Sequence, residues 1–244
     1  MIVKPDGEAI DRGLKAADRH VRAVCGAVAG LALLLLAGCA ATAPGEGRQT
    51  VGTGFFVDRD GHVLTVAHAV ADCVGLYVRK DGRIQAATVV GRANDRDLAL
   101  LKVAETWGLP AVFAQEPWPV ADNLVFAAGY QALPAVIARG GALFNAVLAG
   151  GVAEDPLGDL VLVSDATSGA SGAPVLSSNG LVIGIIARKL ASDRVAAVHA
   201  ANAKALLTAH GIAFAEDTRP QLGPLQDRAR RAATISAGIT CFKN

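Results

Sequence analysis

The sequence predicts an all-β fold, and two observations indicate it. Short apolar or β-branched runs recur roughly every 8–12 residues, and turn-forming residues separate them. The clearest pair is the run 51–57 and the run 62–66, which flank an Asp-Gly turn at Asp60–Gly61. An Asp-Gly turn between apolar runs favours a β-hairpin. The pattern predicts a barrel or sandwich and not a parallel α/β sheet.

Composition sets the size of the fold and excludes one class of partner. The chain has 244 residues, of which 52% are hydrophobic and 27 are glycine, so it can bury a sizeable core. Its formal net charge is +1, and residues 1–23 account for that excess. The remainder is balanced, which argues against nucleic acid as an obligate partner.

Further strand-like runs continue through the chain. They fall at 75–79, 86–91, 98–103, 120–130, 143–150, 160–164, 181–187 and 195–198. A helical pattern at 201–210 follows, then a polar stretch at 216–231 with two prolines. Residues 234–241 alternate like one last strand.

The N-terminal segment has the shape of a signal peptide. Basic residues at 19–22 precede the apolar run 23–37, and small residues follow. Leu36-Ala37-Gly38-Cys39 closely resembles the lipobox of bacterial lipoproteins, which implies that Cys39 is lipidated and anchors the chain to a membrane. Two alternatives stay open: A-x-A cleavage at 41–43, which would release a soluble protein, or an uncleaved membrane helix over 23–43. All three place the folded part outside the cytoplasm.

Ser171 is a candidate nucleophile. It follows Gly169 and precedes Gly172, and an apolar run comes after them. Glycine lets the backbone bend sharply, so such a turn can present a serine beside outward-pointing N–H groups. The alternative is a glycine-rich surface turn that leads into a buried strand.

His68 and two aspartates are the other candidates. His68 lies among small residues directly after the predicted strand 62–66, where a histidine is commonly a satisfied core residue. Asp95 and Asp97 precede the run 98–103, where an acidic residue is commonly a polar cap.

Four blocks of sequence together resemble a known family. Gly52–Val57, Leu64–Val70, Asp97–Lys102 and Gly169–Pro174 are similar, in this order, to the blocks of trypsin-like serine proteases, and the compact bacterial HtrA-like branch fits best. The similarity covers roughly residues 50–212. It implies two antiparallel six-stranded β-barrels of the chymotrypsin-like fold with the site between them. A short C-terminal helix and a tail strand would follow, and no region of PDZ size remains.

The resemblance assigns a role to each candidate. Ser171 would be the nucleophile, His68 the general base and then acid, and Asp97 the carboxylate that orients His68. Asp97 is preferred to Asp95 because it directly abuts the apolar run. The backbone N–H groups of Gly169 and Ser171 would form the oxyanion hole.

Two residues depart from the family pattern, and a third has two possible roles. Ala170 stands where the digestive enzymes carry an aspartate used in zymogen activation, so that switch should be absent. Ala173 replaces the usual second glycine. Asp165 either forms the base of a pocket for Arg or Lys side chains or belongs to a shortened HtrA-like loop that serves no such purpose.

The four cysteines indicate one disulfide and no metal site. Cys25 and Cys39 lie in the leader, so Cys73 and Cys241 remain as the candidate pair in an oxidising compartment. Their spacing matches no zinc motif, and no cofactor is expected.

These observations divide the chain into four parts. We expect a signal peptide at 1–38, a flexible tether at 39–49, a protease domain at 50–215 with its two barrels meeting near 110–120, and an extension at 216–244. The predicted function is a serine endopeptidase that cleaves proteins at the bacterial cell envelope, facing the periplasm. The alternative is a catalytically silent, protease-like module that binds peptides or scaffolds a complex. An α/β-hydrolase is disfavoured because no strand–helix alternation follows the serine.

Overall fold

Two β-sheets form the folded unit, which spans Gly47–Asn244. The computed structural model describes residues 48–115, 124–141, 146–148, 159–164, 166, 169–223 and 225–244. The predicted leader, the lipobox with Cys39, nearly all of the tether, and Asp165 lie outside these residues. Within them, no helix is long and apolar enough to cross a bilayer.

The first sheet has seven strands in the order β4-β3-β15-β1-β2-β6-β5. Their bounds are β1 (Gln49–Phe56), β2 (His62–Val66), β3 (Gly75–Lys80), β4 (Arg83–Ala86), β5 (Thr88–Ala93), β6 (Leu98–Lys102) and β15 (Ser236–Phe242). Every pairing in this sheet is antiparallel. The last strand of the chain therefore lies between the first and the third.

The second sheet has eight strands in the order β14-β7-β12-β13-β10-β9-β8, and β11 pairs with β12 beside that path. Their bounds are β7 (Val112–Ala114), β8 (Leu124–Val125), β9 (Ala146–Leu148), β10 (Leu160–Ser164), β11 (Pro174–Leu176), β12 (Val182–Ala191), β13 (Arg194–His199) and β14 (Ala215–Asp217). β7 runs parallel to both β12 and β14, and the other pairings are antiparallel. The change from one sheet to the other falls between β6 and β7.

Helices are few among the described residues. They are α1 (Leu133–Ala138), α2 (Ala200–Ala209) and α3 (Arg228–Ile235), with 3₁₀ turns at Ala67–Val70 and Asn94–Arg96. The predicted helix 201–210 corresponds to α2, which His199 caps by accepting a hydrogen bond from the Ala201 N–H. The sequence did not predict α1 or α3. The predicted last strand begins two residues later than expected because α3 continues to Ile235.

Turn chemistry explains the β3–β4 hairpin. Asp81 and Gly82 have φ angles of 51° and 79°, which is the two-residue type I′ turn that Asp-Gly favours. The predicted run 86–91 turns out to belong mostly to β5, which pairs with β6. The turn residues therefore identified the hairpin but placed its second strand a few residues late.

Aromatic side chains join the two sheets. Phe55 of β1 lies 6.3 Å from Phe113 of β7, ring centre to ring centre, and Phe113 lies 5.6 Å from Phe214. Phe55 and Phe113 are fully buried, and each such burial stabilises the fold by about 1.5–3 kcal/mol. The fold is thus mostly β with two curled sheets, as predicted for the chymotrypsin-like class, although β15 and short edge strands make each sheet larger than six strands.

Candidate active site

His68 projects from a 3₁₀ turn that begins where β2 ends. Ala67 and Ala69 are 7% exposed and Val70 is 1% exposed, so the turn packs its small side chains against the core. The His68 side chain is 50% exposed. The alternating small residues of the sequence therefore bury the turn and leave the imidazole accessible.

Asp97 holds this turn by three hydrogen bonds. Its carbonyl oxygen accepts from the Ala67 N–H at 3.0 Å, its Oδ1 accepts from the His68 N–H at 3.0 Å, and its Oδ2 lies 2.7 Å from His68 Nδ1. An ionised carboxylate only accepts, so Nδ1 must carry the proton. In the neutral ring Nε2 is then left as the acceptor, which is the tautomer that a general base needs.

Backbone geometry puts Asp97 in place. Its φ is 52°, in the left-handed region, and its N–H donates to the carbonyl oxygen of Asn94, the first residue of the second 3₁₀ turn. Aspartate tolerates this conformation better than most residues do. The turn therefore aims the Asp97 carboxylate at His68 just before β6 begins.

Asp95, the other acid considered from the sequence, lies elsewhere. Its side chain is 79% exposed and lies 3.6 Å from the Arg96 guanidinium. An exposed pair of this kind contributes little. Of the two acids, the structure brings only Asp97 to the imidazole.

The Ser171 loop is a tight turn with two glycines in left-handed conformations. Gly169 has a φ of 89° and Gly172 a φ of 86°. A Cβ added to Gly172 would lie 1.9 Å from the Thr53 carbonyl oxygen. Only glycine fits at that position, which explains the Ser-Gly pair in the sequence.

The two alanines that depart from the family pattern face the core. Ala170 is 3% exposed and Ala173 is fully buried. The Ala173 N–H donates to the Ala170 carbonyl at 2.8 Å, and the Ala173 carbonyl accepts from Ile186 at 2.9 Å. Both methyl groups are accommodated, and the turn remains closed.

The Ser171 hydroxyl donates to the Ala187 carbonyl at 3.4 Å. In the described part of the chain no hydrogen bond joins it to His68. The turn that carries His68 and the loop that carries Ser171 both reach Gly52 of β1, because a Cβ there would lie 3.4 Å from the Ala69 Cβ and 3.4 Å from the Ser171 carbonyl oxygen. In resting enzymes the bond between nucleophile and base is often long and tightens only with substrate.

The backbone N–H groups of Gly169 and Ser171 lie on this turn, and no backbone acceptor among the described residues takes either of them. The side chain of Gln131 lies beside this position, with its Oε1 3.0 Å from where a Cβ on Gly169 would be. Two backbone donors on a turn that carries a serine can stabilise a developing oxyanion.

A cavity of about 480 Å³ opens next to this loop. Tyr130, Gln131, Arg79 and Asp81 are among the residues that line it. The Tyr130 hydroxyl accepts from the Asp81 N–H at 3.0 Å, and burial raises the pKa of this phenol above its ordinary value of 10.0. The cavity therefore has a neutral phenol and both signs of charge near its walls at physiological pH.

A disulfide joins Cys73 to Cys241, with the Cα atoms 5.3 Å apart. Cys73 follows the His68 turn, and Cys241 is fully buried on β15. The bond ties the segment after His68 to the middle of the first sheet. Within the described residues, no cluster of three or more His, Cys, Asp or Glu side chains could hold a metal ion.

Sequence reasoning missed Thr53, Thr65 and Tyr130. Thr53 lies inside the block Gly52–Val57, in which the sequence assigned no residue a role, yet its hydroxyl bonds to Gly169 and Tyr130. A polar residue between two glycines in an otherwise apolar run was the available signal.

Comparison with known proteins identifies the class. Residues 52–185, more than half of the chain, match the trypsin-like peptidase domain family, and the chain belongs to that family. The match contains His68, Asp97 and Ser171 with their surrounding elements.

Individual relatives are bacterial. An uncharacterized protein of Sinorhizobium fredii is 30% identical over 82% of this chain and 34% of its own length. A probable periplasmic serine endoprotease of the DegP-like type from Rhizobium meliloti is 31% identical over 58% of this chain and 29% of its own length. The chain thus spans about a third of the length of these relatives.

Among solved structures, the serine endoprotease from Yersinia pestis is similar in fold. It matches with a TM-score of 0.54 at 24% identity, over 66% of this chain and 57% of the other. At that identity the likeness supports the fold alone.

Proposed function

We propose that the protein is a serine endopeptidase with Ser171 as nucleophile, His68 as general base and acid, and Asp97 as the orienting carboxylate. The observation that carries the proposal is the pair of hydrogen bonds from His68 to Asp97, one from the backbone N–H and one from Nδ1. Together they fix the imidazole in the tautomer whose Nε2 can accept the serine proton.

The reaction follows from these groups. When a peptide carbonyl binds beside the loop, the Ser171 hydroxyl exchanges the Ala187 carbonyl for His68 Nε2 by rotation about its Cα–Cβ bond. Ser171 Oγ then attacks the carbonyl carbon while His68 takes the proton, and the N–H groups of Gly169 and Ser171 receive the oxyanion. His68 returns the proton to the leaving amine, which leaves an acyl-enzyme, and a water activated by His68 hydrolyses it.

The proposed substrates are polypeptides, and the proposed place is the cell envelope. Several relatives are named as probable periplasmic serine endoproteases. The leader motif ending at Cys39 supports a lipid anchor facing the periplasm, and a secreted soluble form is the alternative. Metabolic labelling with a radioactive fatty acid, lost in Cys39→Ala, distinguishes the two.

A second candidate is a protease-like module that binds peptides without cleaving them. The Ser171 hydroxyl favours it, because it donates to the Ala187 carbonyl. In this case the cavity beside Tyr130 and Gln131 would hold peptide, and the hydroxyl would keep its backbone partner.

Labelling with a fluorophosphonate, which reacts with activated serines, separates the candidates. The wild-type chain is expected to label, and Ser171→Ala and His68→Ala to lose the label. Asp97→Asn is expected to label about 10⁴-fold more slowly because the amide favours the wrong imidazole tautomer. The matched control Asp95→Asn is expected to label at the wild-type rate.

A folded wild-type chain that does not label supports the binding module. Equal slowing in Asp95→Asn and Asp97→Asn would contradict the assigned orienting residue. Cleavage of a peptide library by wild type and Asp165→Ala tests whether Asp165 selects basic side chains, since loss of that preference in the variant is expected only for a specificity pocket.

A further inference from the structure

Thr53 lies on β1 where the strand passes under the Ser171 loop, and its side chain is fully buried. Its Oγ1 donates to the Gly169 carbonyl at 2.7 Å and accepts from the Tyr130 N–H at 2.9 Å. Its backbone N–H donates to the Ser171 carbonyl at 2.9 Å. One residue thus holds the carbonyls of both residues whose N–H groups form the proposed oxyanion hole.

Thr53 is itself held in place. Its carbonyl accepts from Thr65 Oγ1 at 2.7 Å, so β2 supports it from the side of the first sheet. Gly172 packs directly on that carbonyl, as the 1.9 Å separation from an added Cβ demonstrates. The loop that carries Ser171 is therefore seated on a fixed residue of the first sheet.

The loop needs such support because glycine restrains it poorly. Gly169 lacks a Cβ and can adopt many backbone angles. The bond from Thr53 Oγ1 fixes the position of the Gly169 carbonyl, and the bond from the Thr53 N–H fixes that of the Ser171 carbonyl. These two anchors limit how far the residues that carry the donor N–H groups can move. Oxyanion donors act only when they point at the place where charge develops, and a displacement of about 1 Å can cost about a hundredfold in rate.

We propose that Thr53 is a positioning residue, whose hydroxyl sets the direction of the oxyanion-hole N–H groups by anchoring Gly169. It acts through the loop and does not touch substrate. This inference rests on the proposed endopeptidase function. It adds a polar link between the Tyr130 segment, the first sheet and the nucleophile loop.

The test compares three variants of the full chain. Thr53→Val removes the hydroxyl but keeps the branched shape, and Thr53→Ser keeps the hydroxyl. Thr50→Val is the matched control, because it makes the same change on the same strand. The Thr50 hydroxyl has no hydrogen-bond partner among the described residues. For each variant the fluorophosphonate reaction is separated into a binding constant and a first-order phosphonylation rate constant, at several pH values.

Thr53→Val is expected to lower the rate constant about 10–100-fold, with little change in the binding constant. The midpoint of the pH profile should not move, because His68 and Asp97 keep their contacts. Thr53→Ser is expected to stay within about threefold of wild type, as is Thr50→Val. A role in stability alone would lower the folded fraction and leave the rate constant of the folded molecules unchanged.

The outcomes separate this inference from the function on which it rests. A folded wild type that does not label refutes the endopeptidase and the positioning role together. A wild type that labels, with Thr53→Val reacting at the same rate, refutes the positioning role alone. If Thr53→Val does not fold, the smaller Thr53→Ala replaces it, and equal rates for Thr53→Ala and Thr53→Ser then contradict the inference.

Discussion

Replacing Cys73 and Cys241 by alanine is expected to lower the free energy of unfolding by about 3–5 kcal/mol. The two cysteines are 168 residues apart in sequence. A cross-link that closes a loop of that length lowers the conformational entropy of the unfolded chain, which corresponds to about 5 kcal/mol of stability at 25 °C. Removal of native disulfides from small domains lowers the free energy of unfolding by about 2–5 kcal/mol. For a chain of this size the midpoint of thermal unfolding should fall by about 6–20 °C.

The assay is chemical unfolding followed by tryptophan fluorescence, which Trp107 reports from its edge-on contact with Phe56. Oxidised wild type, reduced wild type and the double alanine variant are compared. Reduced wild type should unfold at a denaturant concentration close to that of the double variant. Reductant should not change the midpoint of the double variant. The fluorophosphonate rate constant at 25 °C should change little, because Asp97 holds His68 without help from the disulfide.

Unfolding of reduced and oxidised wild type at the same denaturant concentration would refute the reasoning. It would mean that the disulfide does not restrict the unfolded chain. A large fall in the rate constant of folded, reduced protein would instead show that β15 controls the His68 turn through Cys73.

Two further predictions concern single positions. Gly172→Ala is expected to prevent folding or abolish labelling, because its Cβ would overlap the Thr53 carbonyl oxygen. The control Gly82→Ala has open space around its Cβ but the same left-handed strain, at a φ of 79°. It should lower the free energy of unfolding by only about 1–2 kcal/mol. Lys80→Met is expected to lower the free energy of unfolding by about 1–3 kcal/mol, because Lys80 Nζ donates to the Ala233 and Ser236 carbonyls at the end of α3. The control Lys189→Met, at an exposed lysine, should leave the free energy of unfolding unchanged. Burial lowers the pKa of Lys80 in the folded chain below its ordinary value of 10.5. Between the folded-state and unfolded-state pKa values, the unfolded chain therefore binds more protons than the folded chain. The stability of wild type relative to Lys80→Met should accordingly rise with pH in that window.

Local chemistry made part of the site predictable from sequence. Small residues around His68, an acid directly before an apolar strand, and a serine beside glycines each reflect a local constraint that the structure explains. The left-handed φ angles of Asp97 and Gly172 are properties of single residues and their neighbours. Such constraints leave a pattern in a few consecutive letters.

Long-range pairing left no comparable pattern. The alternation at 234–241 indicates a strand but does not identify its partners, and β15 pairs with β1 and β3 across most of the chain. Helices α1 and α3 are only 6 and 8 residues long, and helices this short depend on tertiary packing. Thr53 was missed for the same reason, since its three loop partners come from residues 130, 169 and 171.

The place of β15 links folding of the first sheet to the disulfide. β1 pairs with β2 on one side, but its other edge is occupied by β15 from Gln49 to Phe55. β3 likewise has β4 on one side and β15 on the other, so without β15 the sheet would expose two strand edges. The His68 turn and Asp97 lie on the β2–β6 side of the same sheet. A pairing of such long range forms slowly, and the Cys73–Cys241 bond retains it once formed. The disulfide therefore stabilises the strand that completes the sheet supporting His68, Asp97 and Thr53.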